Sequence, residues 1–558
     1  MKQRNTLESQ IASHVHRIPF DGVGDIIPAK EVVGSKAHNL MRIARRGLRV
    51  PPAFVLATDI CRDYLKRGEA ALEGLDAVLE RELGQIGQRT GRQFGDPRSP
   101  LLVSVRSGAA VSMPGMMETV LNIGVNDGTL SGIIRMTGNP RLAYDCRRRL
   151  VQQYGEVVHG ITPALFEARL QGFLADRGLP SLDEIDSNGL REICDAFSRL
   201  FETTAESAFP AEPLLQLRKA IEAVLRSWSS ERACLYRTLN KIPDDLGTAV
   251  IVQAMVYGNR GPNSGSGVGF TRNPGDGSNE LYVDYLANAQ GEDVVGGRRK
   301  AMGLGELERR APDAYRSLLA ARPVLEQEFA DMQDFEFTVE EGQLVLLQCR
   351  AGKRTPLAAF RIAQDLVSES LITPSAALKM LDGLHIDDIE VISLKQSEGL
   401  APMLRGVPAS TGVAIGAVVF DPARVAAVVR SGRIVILVRQ NAETAEIGAL
   451  SEAAALIAVE GARTSHAAVV ARQLGKVCVV GCEGLNIDAS GRSAIVADEK
   501  LYEGDLLSID GATGAIYRGE LEVVRERPMD LLRSIADWRN AGSTESESQR
   551  SRARKKPR

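Results

Sequence analysis

The sequence predicts a mixed α/β and α+β chain of several domains, and three patterns carry that expectation. Short runs of Val, Ile, Leu and Ala are bounded by glycine-rich turns, the pattern of buried strands. A long middle stretch, about residues 126–240, places apolar residues at helical spacing with charged outer faces. Near the C-terminus, strand signals flank one small-residue helix, read from Ser465, that carries a histidine in its first turn. At 558 residues the chain is too long for one core, and length alone implies roughly two to four domains.

Composition narrows the classes. The formal charge is 68 − 71 = −3, so no global field favours nucleic acid. No apolar run approaches the roughly 20 residues that a membrane span needs. The first residues lack the apolar core of a secretory signal, and seven scattered cysteines argue against a disulfide framework. The chain reads as cytoplasmic, with neither nucleic acid nor membrane as partner.

Residues 1–30 read as an N-terminal arm. Gly34-Ser35-Lys36 then sits at a helix start, where free N–H groups, the helix dipole and a mobile cation suit a phosphate. By itself this is also an ordinary surface lysine. Leu101 to Val105 is a buried strand that runs into Arg106 and then a loop of Gly, Ser and Met up to Thr119. Arginine at a strand end beside such a loop offers a bidentate phosphate contact under a lid. Helices follow over Leu142–Tyr154, Pro163–Arg177, Leu190–Ala208 and Pro213–Arg237, with His159 and Cys194 among them as packing residues.

A strand signal returns at Ala249 to Val256. The glycine-dense stretch Gly258 to Pro274 reads as a turn before a strand, suited to close approach of backbone to phosphate. Leu281 to Tyr285 alternates as a strand and leads to Asn288-Ala289-Gln290-Gly291-Glu292-Asp293, a polar tip. Two further strands, Asp334–Glu340 and Gln343–Arg350, join through Glu341-Gly342 as a hairpin. Alternation puts Asp334 and Glu336 on one face, and Gln348 and Arg350 likewise share a face. Two carboxylates, an amide and an arginine fit Mg²⁺ and a nucleoside triphosphate. A solvated hairpin face fits these strands as well.

The segment 367–400 reads as a linker, and 401–525 as a compact β/β/α module. Its centre is a buried strand, Ala453 to Val459, a turn at Gly461, and a helix from Ser465 to Leu474 that Gly475 stops before a second strand, Val477 to Val480. Imidazole is a good nucleophile near neutral pH, and N–H groups at a helix start hold an anion. His466 is therefore the candidate nucleophile. Residues 526–558 read as a helix and then a polar tail with a basic end, too polar to fold alone.

The string Thr464-Ser465-His466-Ala467-Ala468-Val469-Val470-Ala471-Arg472, with Gly475-Lys476 and Val480-Gly481-Cys482, closely resembles the phosphohistidine motif of pyruvate, phosphate dikinase. The blocks from about Val33 to Leu366, above all Arg106 to Thr119 and Asn288 to Val295, resemble the nucleotide-binding half of that family. The resemblance implies an ATP-grasp-like domain over 31–366 with a helical insertion at about 126–240, and a swivelling phosphohistidine domain. It implies His466 as phosphoryl carrier and Lys36 and Arg106 as phosphate ligands. Glu292 would contact the base or sugar end of ATP, Asp334 and Glu336 would handle Mg²⁺ and phosphates, and Gln348 and Arg350 would complete the site. Thr464 matches a threonine that carries regulatory phosphate in some members.

The implied reaction uses ATP and phosphate to phosphorylate His466, giving AMP and pyrophosphate. In the full dikinase a (β/α)₈ barrel binds pyruvate and phosphoenolpyruvate, and no such segment is read here. The expected acceptor is accordingly bound elsewhere: by a separate barrel protein, or as a small molecule in the manner of antibiotic-phosphorylating relatives. A non-catalytic ATP-binding regulator is the third reading, and a homodimer is left open.

Overall fold

The computed structural model describes residues 11–18, 26–111, 113, 116–296, 302–385, 389–395, 400–441, 446–461, 463, 466–488, 491–497 and 499–540. It contains two compact units. One comprises Met1–Gly261 with Val339–Glu341 and Val345–Arg350; the other comprises Pro262–Thr338, Gly342–Leu344 and Ala351–Arg558.

The first unit is built on a five-stranded antiparallel sheet. Its strands are β1 (Val15–Ile18), β2 (Ala53–Leu56), β3 (Val103–Gly108), β4 (Thr119–Ile123) and β5 (Ala249–Ala254), in the spatial order β1-β2-β5-β3-β4. Period-two alternation divides its side chains. Phe54, Leu56, Val103, Val105, Val120, Val250 and Val252 join one core with Leu150, Tyr154, Leu217, Ile221 and Val224 of the helices. Arg106, Ser104 and Gln253 fall on the opposite face, because Ser104 pairs with Gln253 and Arg106 with Ile251 across β3 and β5.

The helical stretch is present, and its ends are set by local chemistry. Asn126, Asn139 and Asp186 each cap a helix by accepting from the backbone N–H of Thr129, Leu142 and Gly189. Pro163–Arg177 has the expected bounds. The expected single helix Pro213–Arg237 is two, Pro213–Ser227 and Glu231–Leu239, because the Ser230 side chain accepts from Ala233 N–H and starts a new one. His159 packs edge-on against Phe201, and Cys194 donates to the Tyr144 carbonyl, so both serve packing. The expected N-terminal arm is also corrected: Val15–Ile18 is the edge strand of the sheet, paired along its length with β2. An edge strand with a polar face carries no strong alternation, which is why its sequence reads as an arm.

In the second unit, β6 (Gly265–Phe270), β7 (Tyr282–Ala287) and β8 (Gln333–Glu340) lie in one sheet in the order β8-β6-β7. The glycines of β6 correct the phosphate-loop expectation. A Cβ on Gly265 would lie 2.3 Å from the Tyr285 ring hydroxyl, one on Gly267 2.3 Å from Phe337, and one on Gly269 2.7 Å from Phe335. These glycines make room for aromatic rings laid across a strand. β9 (Gln343–Ala351) follows β8 through Glu341-Gly342, both at positive φ (50° and 79°), the backbone of a two-residue hairpin turn.

The remainder of this unit is a three-layer module. Its central eight-stranded sheet runs, in spatial order, Leu404–Arg405, Ala515–Arg518, Leu506–Asp510, Val413–Val419, Val435–Arg439, Ala455–Ala458, Val477–Val480 and Val407–Ser410. One face packs on Val425, Leu450, Ala468 and Ala471 of three helices, and the other on Leu485, Ala494, Val496 and Leu501 of a three-stranded sheet. That is the expected β/β/α layering. The segment read as linker has its own packing: Val391–Leu394 pairs with Val523–Glu526, and Phe360, Ala377 and Leu381 share a core with Leu531 and Ile535. The basic tail, 541–558, lies outside the described residues.

Candidate nucleotide site and histidine carrier

In the first unit the expected site residues lie on three elements. The helix Lys30–Arg45 is broken at Gly34, whose φ of 76° and ψ of 157° are non-helical. A Cβ there would lie 2.0 Å from the Gly108 carbonyl oxygen, so only glycine lets this helix approach the end of β3. Ser35 donates its N–H and its hydroxyl to the Ala109 carbonyl, both at 2.9 Å, and fixes the restarted helix beside β3. Lys36 is the next residue and is half-buried.

Arg106 projects from β3 on the face away from the apolar core. Its guanidinium donates to Gln253 Oε1 at 3.3 Å, the Leu347 carbonyl at 3.3 Å and Gln348 Oε1 at 3.4 Å. The structure thus brings together Arg106 and Gln348, two of the residues expected from sequence. Asn39 ties the Lys36 helix to the same segment by donating to the Cys349 carbonyl at 2.8 Å. Arg350 is half-buried near the end of that segment. Gln253 was not among the expected residues. It is 2% exposed, and among the described residues its Nε2 has no acceptor although its Oε1 is taken by Arg106. A single amide inside the apolar run Val250-Ile251-Val252-Gln253-Ala254 was the available signal.

In the second unit Asp334 and Glu336 occupy alternate positions of β8, with Phe335 and Phe337 buried on its other face. Asp334 is 5% exposed and Glu336 half-buried. Glu292 is half-buried in the short helix Gly291–Gly296, at whose start Gln290 N–H donates to the Asp293 carboxylate. Among the described residues no group of three or more His, Cys, Asp and Glu side chains forms a metal cluster. A carboxylate pair is nonetheless the usual protein share of a Mg²⁺ site, with phosphate oxygens and water completing the octahedron. The donor set of Asp334 and Glu336 fits that ion.

In the carrier module His466 is the first residue of the helix His466–Gln473, after the parallel strand Ala455–Ala458 and a turn at Gly461 (φ 119°). The His466 side chain and all of Thr464 lie outside the described residues. Arg472, near the end of this helix, is 3% exposed. It donates to the Ala409 carbonyl at 2.8 and 3.2 Å and to the Arg463 carbonyl at 2.9 Å. Burial pushes its pKa below the ordinary arginine value. Its guanidinium lies 5.4 Å from the Phe270 ring centre, and that of Arg463 lies 4.9 Å from the ring of Tyr282, the cross-strand partner of Phe270. Cys478 and Cys482 are buried thiols, both pushed up to about 12 by burial.

Two stretches of the chain match known families. Residues 71–302 match the family described as pyruvate phosphate dikinase, AMP/ATP-binding domain, and residues 432–514 match the PEP-utilising enzyme, mobile domain. Arg106 and Glu292 fall within the first match; Thr464, His466 and Arg472 fall within the second. By these matches the chain belongs with the PEP-utilising enzymes of the pyruvate, phosphate dikinase family, carrying these two domains.

The individual relatives are consistent with each other. The chain is 40% identical over 514 residues to pyruvate, phosphate dikinase 1, chloroplastic, of Arabidopsis thaliana, covering 92% of this chain and 53% of the relative. It is 40% identical over 515 residues to pyruvate, phosphate dikinase of Clostridium symbiosum, covering 91% and 59%. It is 42% identical over 496 residues to pyruvate, phosphate dikinase 2 of Zea mays, covering 88% and 56%. The chain thus spans a little over half the length of these relatives. No helix among the described residues is long and apolar enough to cross a membrane.

Proposed function

We propose that this chain is a phosphotransferase that moves the β-phosphoryl group of ATP to His466. The observation that carries the reading is the union in one chain of an AMP/ATP-binding domain and a mobile domain in which a helix begins at His466. The chemistry of the site residues supports it. Three of the contacts of Arg106 are long, at 3.3–3.4 Å to amide and carbonyl oxygens, and a guanidinium forms stronger charge-assisted bonds to phosphate oxygens. Lys36 and Arg350 add positive charge for the triphosphate, Gln348 orients Arg106, and Glu292 contacts the base or sugar end. Asp334 and Glu336 would hold Mg²⁺, which when bound neutralises charge on the transferring phosphoryl.

The step balances as follows. A neutral imidazole nitrogen of His466 bonds to the β-phosphorus while the bond to the oxygen of AMP breaks, and AMP leaves. The γ-phosphoryl then passes to inorganic phosphate, giving pyrophosphate and leaving one phosphoryl on His466. Pyruvate, the substrate in the relatives' name, is the proposed final acceptor. The test is product analysis with Mg²⁺, ATP and phosphate: AMP and pyrophosphate form in equal amounts with wild type and not with His466→Asn. Formation of ADP alone, or equal turnover by the variant, contradicts the proposal.

A further inference from the structure

The guanidinium of Arg472 is a costly group in an unusual position. It is 3% exposed, and its Nη1 is buried without a hydrogen-bond partner among the described residues. Among the described residues no carboxylate forms an ion pair with it, although Asp334 and Asp284 lie near enough to favour its charge; its partners are the two carbonyls and the face of the Phe270 ring. A buried charge with no ion-pair partner is expensive. Stability alone therefore does not account for an arginine here.

Its contacts show what it does hold. One carbonyl belongs to Arg463, just upstream of His466; the other belongs to Ala409, on the adjacent edge strand of the module. The stretch from Gly461 to His466 is mostly small residues, which have little side chain with which to anchor themselves. Arg472 reaches back from the far end of the helix and fastens that stretch to the sheet. The neighbouring Tyr282 hydroxyl donates to the Pro408 carbonyl at 2.9 Å, while its ring carries the Arg463 guanidinium. Arg463, three residues before the histidine, is thus held at its carbonyl by Arg472 and at its guanidinium by the Tyr282 ring.

We infer that Arg472 is a positioning residue for His466: it braces the loop that delivers the histidine, so that the imidazole meets a phosphoryl group in a fixed place. The inference rests on the proposed role of His466. Misplacement of a reacting group by about 1 Å costs on the order of 100-fold in rate.

The experiment uses the full chain as wild type, Arg472→Met and Arg472→Lys. It measures single-turnover transfer of label from β-³²P-ATP with Mg²⁺ and phosphate, ATP affinity, thermal melting, and amide hydrogen exchange over residues 460–468. For Arg472→Met the expected result is a transfer rate lower by about 100-fold, with ATP affinity within about twofold of wild type. Melting stays within a few degrees and exchange over 460–468 rises; the lysine variant lies between. Transfer at the wild-type rate overturns the inference, as does unchanged exchange. Loss of transfer together with a collapse of melting assigns Arg472 a merely structural role and also overturns it. If wild type takes no label, the reading of His466 fails, and the exchange comparison alone decides the brace.

Discussion

Gly34 gives the sharpest test of how the nucleotide half is assembled, and alanine is the perturbation. Two terms act together. The backbone at φ 76° and ψ 157° is a region that only glycine occupies readily, and forcing a side chain into it costs about 1–3 kcal/mol. The new Cβ would also lie 2.0 Å from Gly108 O, and relief of such overpacking costs about 1–3 kcal/mol. The sum, about 2–6 kcal/mol, is a large share of the roughly 5–15 kcal/mol that holds a domain folded. Gly47→Ala is the control: its φ is +80° but nothing lies within 4 Å of its Cβ, so it suffers only the backbone term of about 1 kcal/mol. Urea denaturation of both variants separates the two terms. Because the clash pushes the Lys36 helix from the end of β3, the ATP affinity of Gly34→Ala should fall while that of Gly47→Ala holds. A Gly34→Ala no less stable than Gly47→Ala refutes the close approach of that helix to β3.

The remaining predictions concern the polar groups. Arg106→Met should lower β-phosphoryl transfer by about 100-fold or more, since positioning and charge neutralisation supply most phosphoryl-transfer catalysis; a single-turnover assay checks this. Asp145 is buried, and although burial raises its pKa, Arg149 and Arg148 beside it hold it well below the usual carboxylate range. Its contribution to stability is therefore fully present above the ordinary unfolded carboxylate pKa and is lost only as pH falls through the depressed folded value. Asp145→Asn, which removes the carboxylate that both arginines share, should destabilise by about 3–5 kcal/mol at neutral pH in urea melts. Of the seven cysteines, only Cys234 is not buried; a thiol reagent should label it first in the native protein and the others only on unfolding, because reaction requires access to the sulfur.

Much of this architecture was legible because it rests on local signals. The helix headed by His466 is written in a strand, a glycine turn and a small-residue run, and its two flanking strands fall where those signals put them. Glu341-Gly342 announces a tight hairpin, and both residues take positive φ. What stayed hidden depends on partners distant in sequence. Val15–Ile18 becomes a strand only because β2 offers it an edge, and the supposed linker is ordered by Leu531 and Ile535 from the far C-terminal helix. The Gly-Ser-Gly-Val-Gly run of β6 suggested a phosphate loop, whereas its alternation was a record of rings arriving from β7 and β8. Gln253 escaped notice, and Arg472 was read only as the end of the phosphohistidine motif, because an amide in a strand and an arginine in a helix show no role until the structure shows what each one touches.

The central claim is that a phosphoryl group from the middle of ATP comes to rest on His466. It is tested most directly by parallel incubations with β-³²P-ATP and γ-³²P-ATP in the presence of Mg²⁺ and phosphate. The account predicts acid-labile, base-stable label on the protein from the β position, absent in His466→Asn, with γ label recovered in pyrophosphate. Bound ATP with no label on His466, or label arriving from the γ position, would contradict it.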